Sequence, residues 1–412
     1  MQMKRRLIGG ALLPAMLTLA ACGPKVQVLG NNPVVNYQEG SSPAAVQARE
    51  DVANGTARAI PNPSTPASAA AKGGTGSPGP SAASRDMGSM PGMDMGASAA
   101  ANASTSPAAS ASPSPAANAA QTTPKLYDPT LPAVATGTVH QITLTAREGE
   151  QVISAGVTYH VMTFGDTAPG PMIHVRQGDT VEFTLKNEGS MQHSIDFHAA
   201  ETPWNVNYRS INPGESLTFS FTADHPGAFM YHCGTAPALM HIADGMYGAI
   251  IVDPATPLPP AKEYVLVQSE FYTSKPGPNG VVQGDYPKMQ NGAPDFVVFN
   301  GVADQYTGDN ALTADPGQRI RLWVVNAGPN DFSAFHVVGA ILDKVYPDGN
   351  PANVLNGMQT YTVPPGGGAM IEVTIPNEGW YPVVSHSFAD ASKGAMAMIK
   401  IGKPPAATGS HG

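Results

Sequence analysis

The residues best suited to chemistry are one cysteine, two histidines and one methionine in the middle of the chain. Cys233, His241 and Met246 are spaced Cys-x7-His-x4-Met, and His193 lies upstream of them. A soft thiolate, two imidazoles and a weak thioether are the ligand set of a blue-copper electron-transfer site. The spacing therefore predicts such a site, with one histidine from an earlier strand and three ligands from a single loop.

Two further histidines indicate a second site. His232 immediately precedes Cys233, and successive side chains of an extended strand point to opposite faces. If Cys233 points towards one metal, His232 points away from it, and the first site has no position left for His198. Two interpretations remain open, since these residues could hold a second metal or could be surface histidines around the first.

The elements that position these residues repeat along the chain. Residues 175–189 resemble 314–328, and residues 212–233 resemble 364–387. Short runs such as 180–185 alternate apolar and polar residues and are separated by glycine- and proline-containing turns, which is typical of strands. The pattern predicts an all-β body, a sandwich or barrel, built from two copies of one unit.

The repeat also bears on the second site. Aligning the two copies places His386 on His232 and Ser387 on Cys233. The second copy therefore lacks the thiolate of a blue-copper site but keeps the outward-facing histidine. Three imidazoles would leave an open position on a metal for water or substrate, which a catalytic site requires.

Charge and the N-terminus limit the function classes. The 412 residues carry a net charge of −9, which argues against a nucleic-acid partner. A basic segment and a short apolar stretch end in Leu19-Ala20-Ala21-Cys22-Gly23, which resembles a bacterial lipobox. The expectation is a signal peptide over 1–21, a lipid on Cys22 and an outer-membrane address, facing the periplasm or the cell surface. Cys233 is then the only thiol left, so no disulfide can form within the mature chain.

The segment 22–125 is dominated by Ala, Ser, Pro and Gly, and it is predicted to be a disordered tether because it has too little apolar surface to fold. Four methionines in this segment are compatible with Cu(I) binding, although an ordinary linker is the simpler interpretation: Met87, Met90, Met93 and Met95. The body is predicted to comprise two domains, 126–255 and 256–403, followed by a tail over 404–412.

Several segments together resemble copper-containing nitrite reductases, in particular the shorter-loop lipoprotein type. The resemblance runs from about 130 to 402, and its motifs are HSIDFHAA (193–200), YHCGTAPALMHIADGMYGAIIV (231–252), FNGVADQYTGDNAL (299–312), FHVVG (335–339) and SHSFADASKGA (385–395). It implies two tandem cupredoxin-like Greek-key domains, a homotrimer and two coppers per chain.

The resemblance also implies residue roles. It assigns type 1 copper to His193, Cys233, His241 and Met246. It assigns type 2 copper to His198, His232 and the His386 of a neighbouring subunit. Asp196 and His336 match the family's catalytic pair. Val338 matches an apolar position that limits the orientation in which the substrate binds the metal.

The implied activity is one-electron reduction of nitrite to nitric oxide, with electrons from a separate cupredoxin or c-type cytochrome. Two alternatives remain. A small laccase-like multicopper oxidase would need His-x-His pairs, and the sequence contains none. A non-enzymatic copper-binding or electron-carrier lipoprotein would explain the first ligand set. It would not explain the presence together of Asp196, His198, His232 and His386.

Overall fold

A computed structural model describes residues 123–134 and 136–406. The predicted signal peptide, Cys22, the methionine cluster and His411 lie outside the described residues, as does all of the predicted tether before residue 123. Within the described part of the chain, no helix is long and apolar enough to cross a membrane.

Strands from the first half of the described chain form two four-stranded sheets, in the orders β2-β1-β4-β6 and β3-β8-β7-β5. The strands are β1 (Val139–Ser154), β2 (Val157–Phe164), β3 (Ile173–Arg176), β4 (Thr180–Asn187), β5 (Asp196–Phe197), β6 (Ser216–Thr222), β7 (Gly227–His232) and β8 (Tyr247–Asp253).

Strands from the second half form a six-stranded and a five-stranded sheet, in the orders β10-β9-β12-β17-β14-β15 and β11-β19-β18-β13-β16. They are β9 (Lys262–Phe271), β10 (Phe296–Phe299), β11 (Leu312–Ala314), β12 (Arg319–Gly328), β13 (Ser333–Val337), β14 (Leu342–Pro347), β15 (Leu355–Met358), β16 (Thr360–Val363), β17 (Gly368–Thr374), β18 (Gly379–Ser385) and β19 (Met396–Ile401).

Helices are short and lie in loops: α1 (Trp204–Asn207), α2 (Ala238–Ala243), α3 (Tyr286–Gln290), α4 (Phe388–Ala391) and one 3₁₀ turn (Gly308–Asn310). The described chain is therefore mostly β, and the all-β prediction is confirmed. The predicted domain boundaries stay predictions.

Burial along the strands explains why the sequence folds this way. In β4 the apolar residues Val181, Phe183 and Leu185 are buried and alternate with more exposed polar ones, which is the pattern of a strand with one face on a core. In β12 nearly every residue is buried. Its two faces contribute to different cores, one within the second half and one shared by residues of both halves.

Strand β7 likewise divides its side chains between two cores. Tyr231 and the following Cys233 face the core of the first half, whereas Ala228 and Met230 face the core shared with the second half. His232 alternates with Cys233 and so lies on the side of Met230. The last residue of β7 and the residue after it therefore face opposite surroundings.

The two halves repeat one turn in detail. At the end of β4, the Asn187 side chain accepts a hydrogen bond from Gly189 N–H, and its backbone carbonyl accepts one from Gly214 N–H. At the end of β12, Asn326 makes the same pair of bonds with the N–H groups of Gly328 and Gly366. The shared Asn-x-Gly motif thus has the same structural role in both copies.

The residues just after the predicted tether bond to strands and loops of both halves. Tyr127 N–H donates to Gln305 Oε1 at 2.9 Å, and its hydroxyl donates to the Gly170 carbonyl at 2.8 Å. Val265 N–H donates to the Pro129 carbonyl at 2.7 Å. Residues 127–129 thus connect both halves of the described chain.

Glu270 gives the fold a pH dependence. It is fully buried, and its carboxylate accepts hydrogen bonds from the Tyr272 hydroxyl and from the N–H groups of Asn330 and Asp331. Burial nevertheless raises the pKa of Glu270 from 4.5 to about 7. The native state thus binds this proton more tightly than the unfolded state, and stability falls as the pH rises from about 4.5 to about 7.

Replacing Glu270 with glutamine should remove this dependence. Between pH 5 and pH 8 the free energy of unfolding of the native chain should fall by roughly 2–3 kcal/mol relative to Glu270→Gln. Chemical unfolding at both pH values measures the difference, with the exposed Glu182→Gln as control. Equal pH slopes in the native chain and Glu270→Gln would contradict the assignment.

Candidate metal centres

The first cluster comprises His193, Cys233 and His241, all buried. The Nδ1 atoms of the two histidines are 3.3 Å apart, and Cys233 Sγ lies 3.4 Å from His241 Nδ1. Met246 is also fully buried and packs in the same core as Cys233. The four residues predicted from Cys-x7-His-x4-Met and the upstream histidine therefore lie in one region of the first half.

Backbone contacts from several elements position this cluster. His193 forms an isolated bridge with Ile211, with both N–H groups donating across it. His241 lies in α2, and Met246 N–H donates to the His241 carbonyl at 3.0 Å. Cys233 N–H donates to the Met246 carbonyl at 3.1 Å. The loop after β7 thus closes on itself and holds its three ligand-type residues together.

The donor set fits a metal ion. Burial lowers the pKa of His193, and it lowers the pKa of His241 to about 4, so both imidazoles are neutral near pH 7. Nitrogen and sulfur ligands at roughly 2.0–2.3 Å around one ion in a plane lie about 3.5–3.8 Å from one another. The observed spacings of 3.3 and 3.4 Å are close to this range.

Glu148 is a neighbour of this cluster that no sequence motif indicated. Its carboxylate lies 3.9 Å from His193 Nε2. Burial raises the pKa of Glu148, but hydrogen bonds from the Ser190 backbone and hydroxyl outweigh that and lower it. The carboxylate therefore favours the tautomer with hydrogen on Nε2, which leaves His193 Nδ1 free to bind a metal.

The second cluster comprises Asp196, His198 and His232. Asp196 and His232 are direct partners across β5 and β7, and Asp196 Oδ2 is 3.8 Å from His232 Nε2. His198 Nε2 lies 3.0 Å from His232 Nε2. His198 is exposed, and the other two are partly exposed, so this cluster opens to solvent while the first is buried.

Two carbonyl groups set the tautomers in the second cluster. His198 Nδ1 lies 3.0 Å from the Gly366 carbonyl, and His232 Nδ1 lies 3.0 Å from the Cys233 carbonyl. A carbonyl only accepts, so each Nδ1 carries the hydrogen and each Nε2 keeps its lone pair. Two lone pairs facing each other at 3.0 Å repel unless a cation lies between them, so the residues fit a metal.

A third group of histidines lies in the second half. The rings of His336 and His386 are 5.3 Å apart between centroids, and Phe388 lies 4.7 Å from His386. His336 Nδ1 donates to the Gln359 carbonyl at 2.6 Å. His386 is exposed and follows β18, as His232 ends β7. It lies outside the Asp196–His198–His232 cluster of its own chain, and its role in a neighbouring subunit stays a prediction.

The remaining predicted site residue, Val338, follows β13 two residues after His336 and is partly buried, and its N–H donates to the Pro382 carbonyl at 2.8 Å. Other described histidines pair with acids away from both clusters, namely His140 with Asp179, His174 with Asp253 and His225 with Glu201.

Sequence reasoning did not find the contact between Gly366 and His198. The two residues are 168 positions apart, and only the repeated Asn-x-Gly turn could have drawn attention to this loop. Gly366 has φ +76°, and a Cβ there would lie 3.3 Å from His198 Cε1. Its repeat counterpart Gly214 has φ +81° with nothing within 4 Å of a Cβ.

Gly366→Ala should therefore weaken the second site. The added methyl group displaces the His198 ring, and loss of an outer contact of this kind costs about 10–100-fold in metal affinity. Copper titration followed by EPR measures this, and the first site should bind as before. Gly214→Ala carries similar backbone strain without the contact, so an equal loss of affinity in that variant would contradict the explanation.

Comparisons with known proteins give two descriptions, multicopper oxidase and copper-containing nitrite reductase. Residues 145–257 match the family model described as multicopper oxidase. The chain is 43% identical over 260 residues to the copper-containing nitrite reductase of Neisseria meningitidis serogroup B, covering 62% of this chain and 66% of that protein. It is 33% identical over 274 residues to the copper-containing nitrite reductase of Alcaligenes xylosoxydans xylosoxydans, covering 60% of this chain and 81% of that protein.

A solved copper nitrite reductase is similar to this chain in fold and in sequence. The copper nitrite reductase of Nitrosomonas europaea matches with a TM-score of 0.60 at 42% identity, covering 64% of this chain and 94% of that one. Against the Neisseria relatives the chain spans only 64–66% of their length.

Proposed function

The chain belongs to the family of copper-containing nitrite reductases, and from that premise we propose that it reduces nitrite to nitric oxide. The reaction is NO2⁻ + 2H⁺ + e⁻ → NO + H2O, so one electron and two protons must meet at one place. The observation that carries the proposal is the pair His232-Cys233. His232 ends β7 and belongs to the solvent-open cluster, and Cys233, joined to it by one peptide bond, belongs to the buried cluster.

We propose two copper ions per chain. His193, Cys233, His241 and Met246 would hold type 1 copper, and His198 and His232 would hold type 2 copper together with His386 of a neighbouring subunit. Copper, when bound, supplies a one-electron couple between its +2 and +1 states. The buried thiolate cluster excludes water and nitrite, whereas the second cluster is accessible to both, which supports separate roles in electron entry and catalysis.

Two residues would pass protons from solvent to nitrite. Asp196 lies beside His232 with a partly exposed carboxyl group, where it can hydrogen-bond a nitrite oxygen and deliver a proton. His336 of the neighbouring subunit, which lies beside His386, would relay the second proton through a water molecule. Its Nδ1 is held by the Gln359 carbonyl, which leaves Nε2 to exchange the proton. The Val338 side chain would restrict the orientation in which nitrite binds.

We also propose an oligomeric state, an electron donor and a cellular location. A homotrimer would bring the exposed His386 of one subunit to the His198–His232 pair of the next. A separate cupredoxin or c-type cytochrome would donate the electron. The lipobox-like residues Leu19–Gly23 support an outer-membrane lipoprotein, anchored through Cys22 and facing the periplasm or the surface.

Nitrite-dependent formation of nitric oxide from a reduced dye tests the activity, and metal analysis with low-temperature EPR tests the sites. The expected result is nitric oxide together with two coppers per chain, one of each type. Four coppers per chain with dioxygen consumption would favour a laccase-like oxidase instead. One copper without nitric oxide formation would favour an electron carrier.

A further inference from the structure

The surroundings of the Cys233 sulfur contain a hydroxyl group that the proposed reaction has not used. Ser194 follows His193 and is fully buried. Its backbone N–H lies 3.5 Å from Cys233 Sγ, and its Oγ lies 3.9 Å from the same sulfur. One residue therefore brings two polar groups to the thiolate.

The hydrogen of that hydroxyl has a defined direction. Gly234 N–H donates to Ser194 Oγ at 3.0 Å, so one lone pair of the oxygen is occupied by a donor. The Ser194 hydroxyl still has its own hydrogen to donate. Among the described residues, the acceptor within hydrogen-bond reach of Oγ is Cys233 Sγ. A buried hydroxyl is costly to leave unpaired, and a thiolate accepts more strongly than a thiol, so the hydrogen points to the sulfur.

Hydrogen bonds at the sulfur alter the redox balance of a blue-copper site. A donor attracts electron density from the thiolate, which weakens its donation to an oxidised metal more than to a reduced one. The bond therefore stabilises the reduced state and raises the reduction potential. Since the site is fully buried, water does not compete for the same sulfur.

We propose that Ser194 is a positioning residue that raises the reduction potential of the first site by donating its hydroxyl hydrogen to the Cys233 thiolate. The inference rests on the proposed type 1 copper. Ser194 would thus help to set the reduction potential of that copper. The hydrogen bond that Gly234 N–H donates to Ser194 Oγ holds the hydroxyl in place.

The test compares Ser194→Ala with the native chain, both loaded with copper. The equilibrium constant for reduction should fall by about tenfold, which is 59 mV for a one-electron couple. The thiolate-to-copper absorption should move to longer wavelength, because the unbonded sulfur gives up charge more easily. Spectroelectrochemical titration measures the potential and the spectrum in the same sample, without nitrite.

Two further variants separate this effect from a general disturbance. Ser194→Thr keeps a hydroxyl and should keep a potential close to that of the native chain. Ser210→Ala removes a hydroxyl that bonds Thr235 Oγ1 at 2.8 Å in the neighbouring segment, and it should change neither quantity. If Ser194→Ala does not retain copper, Ser194→Gly removes the same hydroxyl and is measured in its place, with the same fall expected.

The outcomes are distinct. An unchanged potential in Ser194→Ala with normal blue colour in the native chain overturns the inference and leaves the proposed function intact. An equal fall in Ser210→Ala also overturns it. If the native chain shows no blue absorption when loaded with copper, the proposed function fails together with the inference.

Discussion

Asp196→Asn is expected to lower nitrite turnover by about 10²-fold or more, the scale of a lost acid–base group, while the blue absorption stays the same. Asparagine has nearly the same shape as aspartate, but it cannot carry a proton to substrate. Asp196 is also the partner of His232 across β5 and β7, so the substitution acts on the solvent-open cluster.

The reason for expecting no spectral change is geometric. Asp196 and His232 lie on the side of β7 opposite to Cys233. The backbone pairing of β5 and β7 does not depend on the Asp196 side chain, so the strand should keep its place. Steady-state assays over a range of pH, on protein with both coppers present by metal analysis, measure the effect.

Asp224→Asn is the matched control, since Asp224 is an exposed aspartate of the same half. It should leave turnover within the error of the assay. Full turnover by Asp196→Asn in copper-loaded protein would show that the proton comes from elsewhere.

Cys233→Ala is expected to abolish the visible absorption completely and to leave type 2 copper in place. Without the thiolate, the buried cluster retains two imidazoles and one thioether, and it loses the ligand that gives a blue-copper site its colour. His198 and His232 keep their carbonyl partners, namely Gly366 and the backbone of residue 233, and alanine retains that backbone carbonyl.

Electron transfer from the first site to the second should be lost together with the blue absorption. Dye-driven turnover in Cys233→Ala should drop to the rate at which the dye reduces the second site directly. EPR and absorption spectra on one sample show which copper remains. The complementary variant His198→Ala should keep the blue colour and lose the type 2 signal. Blue colour surviving in Cys233→Ala would contradict the assignment of the thiolate.

Much of this protein could be predicted from local pattern. The alternation in 180–185 predicted strands because a half-buried strand has a period of two, and β4 has that pattern. The repeat from 175–189 to 314–328 predicted two copies of one unit, and Asn187 and Asn326 make equivalent turns. The family resemblance carried by 193–200 and 231–252 is confirmed by the relatives.

Contacts between distant segments could not be predicted in this way. Glu148 lies near His193 because β1 passes beside it, and nothing in the spacing of the two residues signals this. At the start of the first predicted domain, Tyr127 likewise bonds to both halves, through Gln305 and Gly170. Such contacts depend on how the sheets pack.

The sequence by itself determined which ligand types are present and that His232 and Cys233 face opposite ways, because alternation is a property of any extended strand. Only the tertiary structure decided which residues surround each of these two side chains. Cys233 reaches a closed core within the first half, whereas the site around His232 meets the Gly366 loop of the second half through His198. Burial and hydrogen-bond partners, which set tautomer, charge and access, arise from segments far apart in the chain.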